Sequence, residues 1–143
     1  MSGSGGVAIA LFSELLTADQ LLRAHLSRLM PAQMELSHFL VLNALARGGE
    51  RSPAQLARAF HVTRGAMTNT LSRLDMAGHV HIRPDWDDAR RKLVSISPAG
   101  LAARDAAQAK VLPLIEEVIG ALGEDRLRAA LPVIRDLRIR LEQ

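Results

Sequence analysis

Apolar residues recur along most of the chain at the three- and four-residue spacing of an α-helix. Over residues 7–30 they mark one face of a long helix, which should stop before Pro31. A second helix is predicted over 36–47, with Ser37 as its N-cap and a pair of glycines after its end. Both helices therefore have an apolar face to bury.

Two shorter helices should follow, each opened by a capping residue. Ser52 precedes a proline at the first helical position and Gln55 at the third, which is the signature of a capping box, and this helix should reach about Phe60. Thr63 caps the next helix, predicted to continue to Ala77 and to close at a glycine. Because only two residues separate them, the pair is a helix-turn-helix candidate.

The pattern then changes to a period of two. Residues 79–83 and 92–96 alternate apolar and polar side chains as β-strands do, and the charged stretch 84–91 should form a long loop between them. A projecting hairpin directly after a helix-turn-helix is a wing.

Two further helices complete the chain. Ser97 and Pro98 repeat the cap-then-proline signal and begin a long apolar helix, which Pro113 should kink. The last helix is predicted over 125–142, and Pro132 should leave it bent or late-starting.

The predicted fold is mainly α with a small β-hairpin wing (α+β), a winged helix-turn-helix with long N- and C-terminal helices. We expect one domain over 1–143, with a DNA-binding region at 35–97 and a helical dimerisation region formed by 7–34 and 98–143.

The terminal helices carry more apolar surface than one compact module of about 60 residues can cover, so a second copy of the chain should bury it. A hairpin of the terminal helices within one chain is the alternative. The residues expected at the homodimer interface are Leu11, Leu15, Leu22, Ile119, Leu131, Ile134, Leu137 and Leu141.

Positive charge is concentrated in the middle of the chain. Residues 51–92 contain eight basic and four acidic side chains, a net +4, whereas the whole chain carries +3. This distribution is typical of a protein whose centre contacts a polyanion, although a merely solvated surface is the alternative. Aromatic residues make up 3% of the chain, which favours double-stranded DNA over stacking on single strands.

The helix opened by Thr63 has a polar face suited to the major groove. Arg64 and Asn69 are the residues expected at base edges, because arginine and asparagine can contact guanine and adenine through two hydrogen bonds each. Thr68, Ser72 and Arg73 are expected to hold phosphates, with pairing to a nearby acid as an alternative for Arg73. Simple solvent exposure is the alternative for all five.

In the wing, Arg83, Asp88, Arg90 and Arg91 are the candidate DNA-binding residues. We expect Asp88 to fix one arginine through a charge-assisted hydrogen bond and to leave Arg90 free for a narrow minor groove. An exposed ion pair of little energetic value is the alternative.

No motif of an enzyme is present: the sequence has no P-loop, no dinucleotide-binding glycine pattern, no nucleophile elbow and no zinc-protease motif. We expect no enzymatic activity and no cofactor. The chain has no cysteine, and we expect no metal site. The alternative is a divalent ion held by histidines on a strand face and elsewhere, drawn from His25, His38, His61, His79 and His81.

The first six residues are rich in glycine and serine, and neither a signal peptide nor a membrane span is predicted, so the expected location is the cytoplasm.

Several of these motifs resemble those of the MarR family of regulators, named for multiple antibiotic resistance, along nearly the whole chain. The matching segments are Leu36-Ser37, Ser52-Pro53-Ala54-Gln55-Leu56-Ala57, Val62-Thr63 with Thr68, Leu74 and Gly78, Arg83-Pro84-Asp85, Asp88-Ala89-Arg90, and Val94-Ser95-Ile96-Ser97-Pro98-Ala99-Gly100. Trp86 stands where the family often has proline, and Ile96-Ser97 where it often has Leu-Thr.

The resemblance implies a bacterial, nucleoid-associated homodimer that binds a pseudo-palindromic operator. It also implies repression until a small anionic or phenolic ligand enters near the dimer interface. The rival interpretation is a winged-helix module that binds protein, or DNA without sequence preference.

Overall fold

A computed structural model of the protein describes residues 3–143, in which six helices and one antiparallel hairpin follow the predicted order. The elements are α1 (Gly3–Leu29), α2 (Leu36–Gly48), α3 (Pro53–Ala59), α4 (Arg64–Met76), β1 (Val80–Asp85), β2 (Asp88–Ile96), α5 (Pro98–Leu122) and α6 (Glu124–Leu141). The predicted fold class is confirmed.

The main core lies where α2, α3, α4 and the hairpin meet. Its fully buried side chains are Leu42, Leu45, Leu56, Leu74 and Val94. Backbone hydrogen bonds between Arg51 and Val94, at 3.0 and 2.7 Å, attach β2 to the segment before α3. The hairpin is therefore anchored on the helix-turn-helix.

A smaller core joins the terminal helices to this unit. Met30, after α1, packs with Ala107 and Val111 of α5, and the half-buried Phe39 of α2 lies against them. This cluster fixes where α1 and α5 leave the helix-turn-helix.

The two short helices begin at the predicted caps. The Ser52 hydroxyl accepts the Gln55 backbone N–H at 3.1 Å, and the Gln55 side chain accepts the Ser52 N–H at 2.9 Å. The Thr63 hydroxyl accepts the Ala66 N–H at 3.1 Å. Both cap predictions are confirmed.

The prediction of Ser37 as the cap of α2 is wrong. Glu35 is the N-cap, in an extended conformation, and its backbone N–H donates to Nδ1 of His38 at 3.2 Å. The Glu35 side chain completes a capping box that starts the helix at Leu36.

The loop of the wing is shorter than predicted. Asp85 pairs with Asp88 across the hairpin, so that only Trp86 and Asp87 form the turn, with an irregularity between Pro84 and Asp85. The charged stretch had no apolar alternation, but the strands extend through it because backbone pairing does not need buried side chains.

Both internal prolines lie within continuous helices, Pro113 in α5 and Pro132 in α6. Of the two outcomes predicted for Pro132, a bent helix or a late start, the late start is excluded, since α6 begins at Glu124. At the other end, Gly3–Gly6 already belong to α1, which was predicted to start at residue 7, so part of the glycine- and serine-rich start is helical.

No residue of α1 is buried within the chain. By length and composition alone this helix is apolar enough to cross a membrane, a test that core helices and signal sequences also pass. Exposed apolar side chains continue on α5 and α6, including Ile119, Leu131 and Ile134.

Candidate nucleic-acid interface

The second helix of the helix-turn-helix has one buried and one open face. Met67, Leu71 and Leu74 of α4 are buried, whereas the neighbouring Ala66 is exposed. The five candidate contact residues of this helix, Arg64, Thr68, Asn69, Ser72 and Arg73, are all exposed.

A groove of about 470 Å³ lies between α3, α4 and the wing. It is lined by the start of α3 and by basic side chains from all three elements, and none of the described residues that line it is acidic. The lining residues are Ser52, Pro53, Ala54, Gln55, Arg58, Arg64, Thr68, Arg90, Arg91 and Lys92.

Three of the five basic side chains in this groove carry uncompensated charge. Within residues 3–143, neither Arg58, Arg64 nor Lys92 forms an ion pair. Charges of one sign that line a concave surface reinforce one another there. The groove is therefore a site of positive potential that fits a polyanion.

The wing arginines are paired differently from the prediction. Asp88 lies 3.3 Å from Nε of Arg90 itself and also accepts the Arg90 backbone N–H, while Arg91 lies 3.7 Å from Asp85. The expectation that Asp88 fixes the other arginine is wrong, because the Asp85–Asp88 pairing turns each carboxylate toward a different arginine. The Arg90 side chain remains 91% exposed.

Arg83 does not line the groove. Its guanidinium donates to both carboxylate oxygens of Glu50 and to the Pro84 carbonyl, and it lies 4.2 Å from the centre of the Trp86 ring. The side chain is thus engaged by three groups within the protein.

Arg73 also has an acidic neighbour, Glu35, at 3.3 Å, as its alternative interpretation anticipated. Asn69 and Ser72 share the open side of α4 but lie outside the groove lining. The sequence pattern included Arg58 and Lys92 in the net positive charge of residues 51–92 but did not predict them as DNA-binding residues. Only the fold shows that they line one groove.

The histidines do not gather into a metal site, since no three potential ligands within residues 3–143 are placed to hold an ion. His38 is buried, and burial lowers its pKa below the usual value, with Arg73 and His79 adding to the effect and Glu35 opposing it. His25 lies beside Arg28, and His61 beside Glu142.

A second, smaller groove of about 290 Å³ lies between α1 and α5. It combines cationic and apolar side chains with one acid. The lining residues are His25, Arg28, Leu29, Lys110, Pro113, Leu114 and Glu117.

Comparison with known proteins agrees with this architecture. Residues 32–91 match the model of the MarR family. The transcriptional activatory protein BadR of Rhodopseudomonas palustris is 30% identical over 119 residues, which cover 80% of this chain and 68% of BadR.

Solved structures share the fold at lower identity. BldR, a transcriptional regulator of Sulfolobus solfataricus, superposes with a TM-score of 0.87 at 20% identity, over 98% of this chain and 99% of BldR. A cysteine-to-serine mutant of Escherichia coli MarR, solved in complex with operator DNA, gives a TM-score of 0.70 at 24% identity, over 89% of this chain and 97% of that chain.

Proposed function

Because the chain belongs to the MarR family of transcriptional regulators, we propose that it binds a specific double-stranded operator through α4 and the wing, as a homodimeric repressor. The observation that carries this proposal is the groove between α3, α4 and the wing, in which five basic side chains converge with no acid among the described residues that line it. The E. coli relative solved on operator DNA supports it.

Within this interface, Arg64 and Asn69 read base edges from the exposed side of α4. Thr68 and Ser72 hold phosphates, as do Arg58 and Lys92, whose charges have no acidic partner in the described residues. Sequence specificity then depends on the base contacts of α4. Most of the salt-dependent affinity comes from the phosphate contacts of the basic side chains in the groove.

In the wing, Arg90 enters the minor groove and Arg91 contacts the adjacent backbone. Arg73 and Arg83 act mainly as positioning residues, because Glu35 and Glu50 already neutralise them. Asp88 orients Arg90 through its backbone and its guanidinium.

A second copy of the chain should cover the terminal helices. The eight apolar residues predicted at the interface are exposed or half-buried in the single chain, and no α1 residue is buried. A membrane is a poorer environment for α1, because Glu14, Asp19 and Arg23 lie along its length and two of them form an ion pair at 3.0 Å. A two-fold dimer also matches two operator half-sites.

The groove between α1 and α5 is the place we propose for a small anionic or phenolic effector. Arg28 and Lys110 supply positive charge beside the apolar surface of Leu29 and Leu114. The groove lies where the terminal helices leave the helix-turn-helix, so a ligand there can change the spacing of the two DNA-binding units.

The protein acts in the cytoplasm, on the nucleoid, without enzymatic activity.

The test of DNA binding uses a labelled duplex from the region upstream of the protein's own gene, titrated against random competitor DNA at near-physiological salt. We expect a dimer, confirmed by sedimentation, that resists competitor. Equal binding to all duplexes would contradict sequence-specific recognition, and no binding would favour a protein-interaction module.

Arg64→Ala should weaken this complex at least tenfold, because each of the two subunits would lose a bidentate base contact worth about 1–3 kcal/mol. Arg126→Ala is the matched control, since Arg126 is an exposed arginine of α6 outside the groove. Equal effects of the two substitutions would contradict the assignment of Arg64.

A reporter gene under the same upstream region tests the direction of control. Expression should fall when the protein is supplied and recover with an aromatic carboxylate such as benzoate. A rise on supplying the protein would make it an activator, as the name of BadR describes that relative.

A further inference from the structure

Trp86, the single tryptophan of the chain, projects from the two-residue turn of the wing. Its surface is 82% exposed. A large apolar side chain left in water at the tip of a charged hairpin contributes little to the core, and its rigid ring offers a large apolar surface with a polar N–H to a partner.

The indole ring is held in place although it is exposed. The Arg83 guanidinium lies 4.2 Å from the ring centre, and Glu50 fixes that guanidinium through two hydrogen bonds. Because a cation near an aromatic face attracts it, Arg83 serves as a platform for the ring.

The backbone of the turn is also fixed. The Asp85 carboxylate accepts the Asp87 N–H at 2.9 Å, and the Asp88 carboxylate accepts the Arg90 N–H at 3.1 Å. A residue presented on such a turn loses little conformational freedom when it makes a contact. Trp86 is thus positioned in advance of binding.

The surroundings of the ring indicate what it contacts. Arg90 lies in β2, shortly after the same turn, and is 91% exposed. Asp87, next to Trp86, has no cationic partner among residues 3–143 and would repel a phosphate. The apolar surface that duplex DNA offers between its phosphates is the C–H face of the deoxyribose rings.

We propose that Trp86 packs against the deoxyribose wall of the minor groove beside the position of Arg90. This inference rests on the proposed DNA-binding function. The contact adds non-ionic affinity that does not depend on base sequence, while Arg90 supplies the charge. Trp86 also limits how deeply the wing tip enters the groove.

Fluorescence tests this contact directly, because the chain contains one tryptophan and no tyrosine. Saturation with the operator duplex, verified by the anisotropy of a dye on the DNA, should change the tryptophan emission and reduce its quenching by acrylamide about twofold or more. Unchanged emission and quenching in the saturated complex would overturn the proposal and leave the indole open to a protein partner.

Variants separate this contact from the charged ones. Trp86→Ala should weaken operator binding on the order of tenfold through lost apolar burial, and Trp86→Phe should weaken it less. The slope of log K against log salt should stay unchanged in both, whereas Arg90→Ala should reduce it by about two, one for each subunit of the dimer. Wild-type affinity of Trp86→Ala would overturn the proposal.

The two proposals fail in different ways. If the anisotropy titration detects specific binding but tryptophan emission does not respond, DNA recognition stands and the role of Trp86 does not. If no duplex binds at all, both are overturned.

Discussion

The guanidinium of Arg83 donates two hydrogen bonds to the carboxylate of Glu50, at 3.1 Å from Nε and 2.6 Å from the second terminal nitrogen. This pair joins β1 of the wing to the segment between α2 and α3. It therefore fixes the direction of the hairpin relative to the helix-turn-helix, and it occupies an arginine that the sequence assigned to DNA.

A double-mutant cycle on Arg83 and Glu50 should measure this link. Both side chains are 33% exposed, so solvent screening limits the coupling to about 0.5–1 kcal/mol in the free energy of unfolding. Urea denaturation of Arg83→Ala, Glu50→Ala and the double variant gives the value. Additive single effects would show that the pair does not stabilise the fold.

Arg83→Lys separates geometry from charge in the same experiment. An ammonium group cannot form the two parallel hydrogen bonds of a guanidinium, so the lysine variant should lose most of the coupling. If the lysine variant retained the full coupling with Glu50, charge alone would be sufficient to produce that coupling.

The cap of α3 gives a second prediction. Ser52→Ala should lower the free energy of unfolding by about 1 kcal/mol, because the buried hydroxyl accepts the Gln55 N–H. Thermal or urea denaturation without DNA measures the change. Ser72→Ala is the control, since Ser72 is exposed inside α4 and should change stability little; equal losses would contradict the capping role.

These features differ in how far the sequence predicted them. Caps such as Ser52 and Thr63 satisfy backbone groups three residues away, so a local motif is sufficient to identify them. The cap of α2 was misassigned because Glu35 and His38 form an unusual capping box. Both residues stand at the spacing of a capping box, but glutamate and histidine are not the residues that usually fill its two positions.

Longer-range relationships were beyond the sequence pattern. Arg83 and Glu50 are 33 positions apart, and no periodicity links them. The extent of the wing strands depended on the pairing of Asp85 with Asp88, and that register also decided which acid faces which arginine. The groove lining could be predicted as a basic region but not residue by residue.

Gly100 gives a third prediction, because at this residue α5 passes close to the backbone of His79. A Cβ there would overlap the carbonyl oxygen of His79, and the Ser97 hydroxyl, which accepts the Gly100 N–H, also donates to the Gly78 carbonyl. Gly100→Ala should therefore destabilise the protein by about 2 kcal/mol or more, as overpacking against rigid backbone does, measured by urea denaturation.

Gly65→Ala is the matched control for this substitution. Gly65 is also helical, and nothing lies within 4 Å of the position its Cβ would occupy. Alanine should leave stability unchanged or raise it by up to about 1 kcal/mol, the usual difference in helix propensity. A Gly100→Ala variant as stable as this control would contradict the close approach of α5.

The fourth prediction concerns pH and the buried His38. Burial, Arg73 and His79 together lower its pKa below 6.5, against the opposing effect of Glu35. The unfolded chain therefore takes up the proton first as the pH falls, and the folded state loses stability from about pH 6.5 down through the lower folded pKa. Below that pKa both states are protonated and the loss ends.

His38→Gln should reduce this acid sensitivity while keeping the cap, because glutamine is a common partner at the same position of a capping box. Urea denaturation between pH 8 and pH 5 should show a shallower decline in the free energy of unfolding than in the wild type. His81→Gln, at an exposed histidine of β1, is the control and should retain the wild-type slope. Equal slopes in all three proteins would contradict the neutral, buried state assigned to His38.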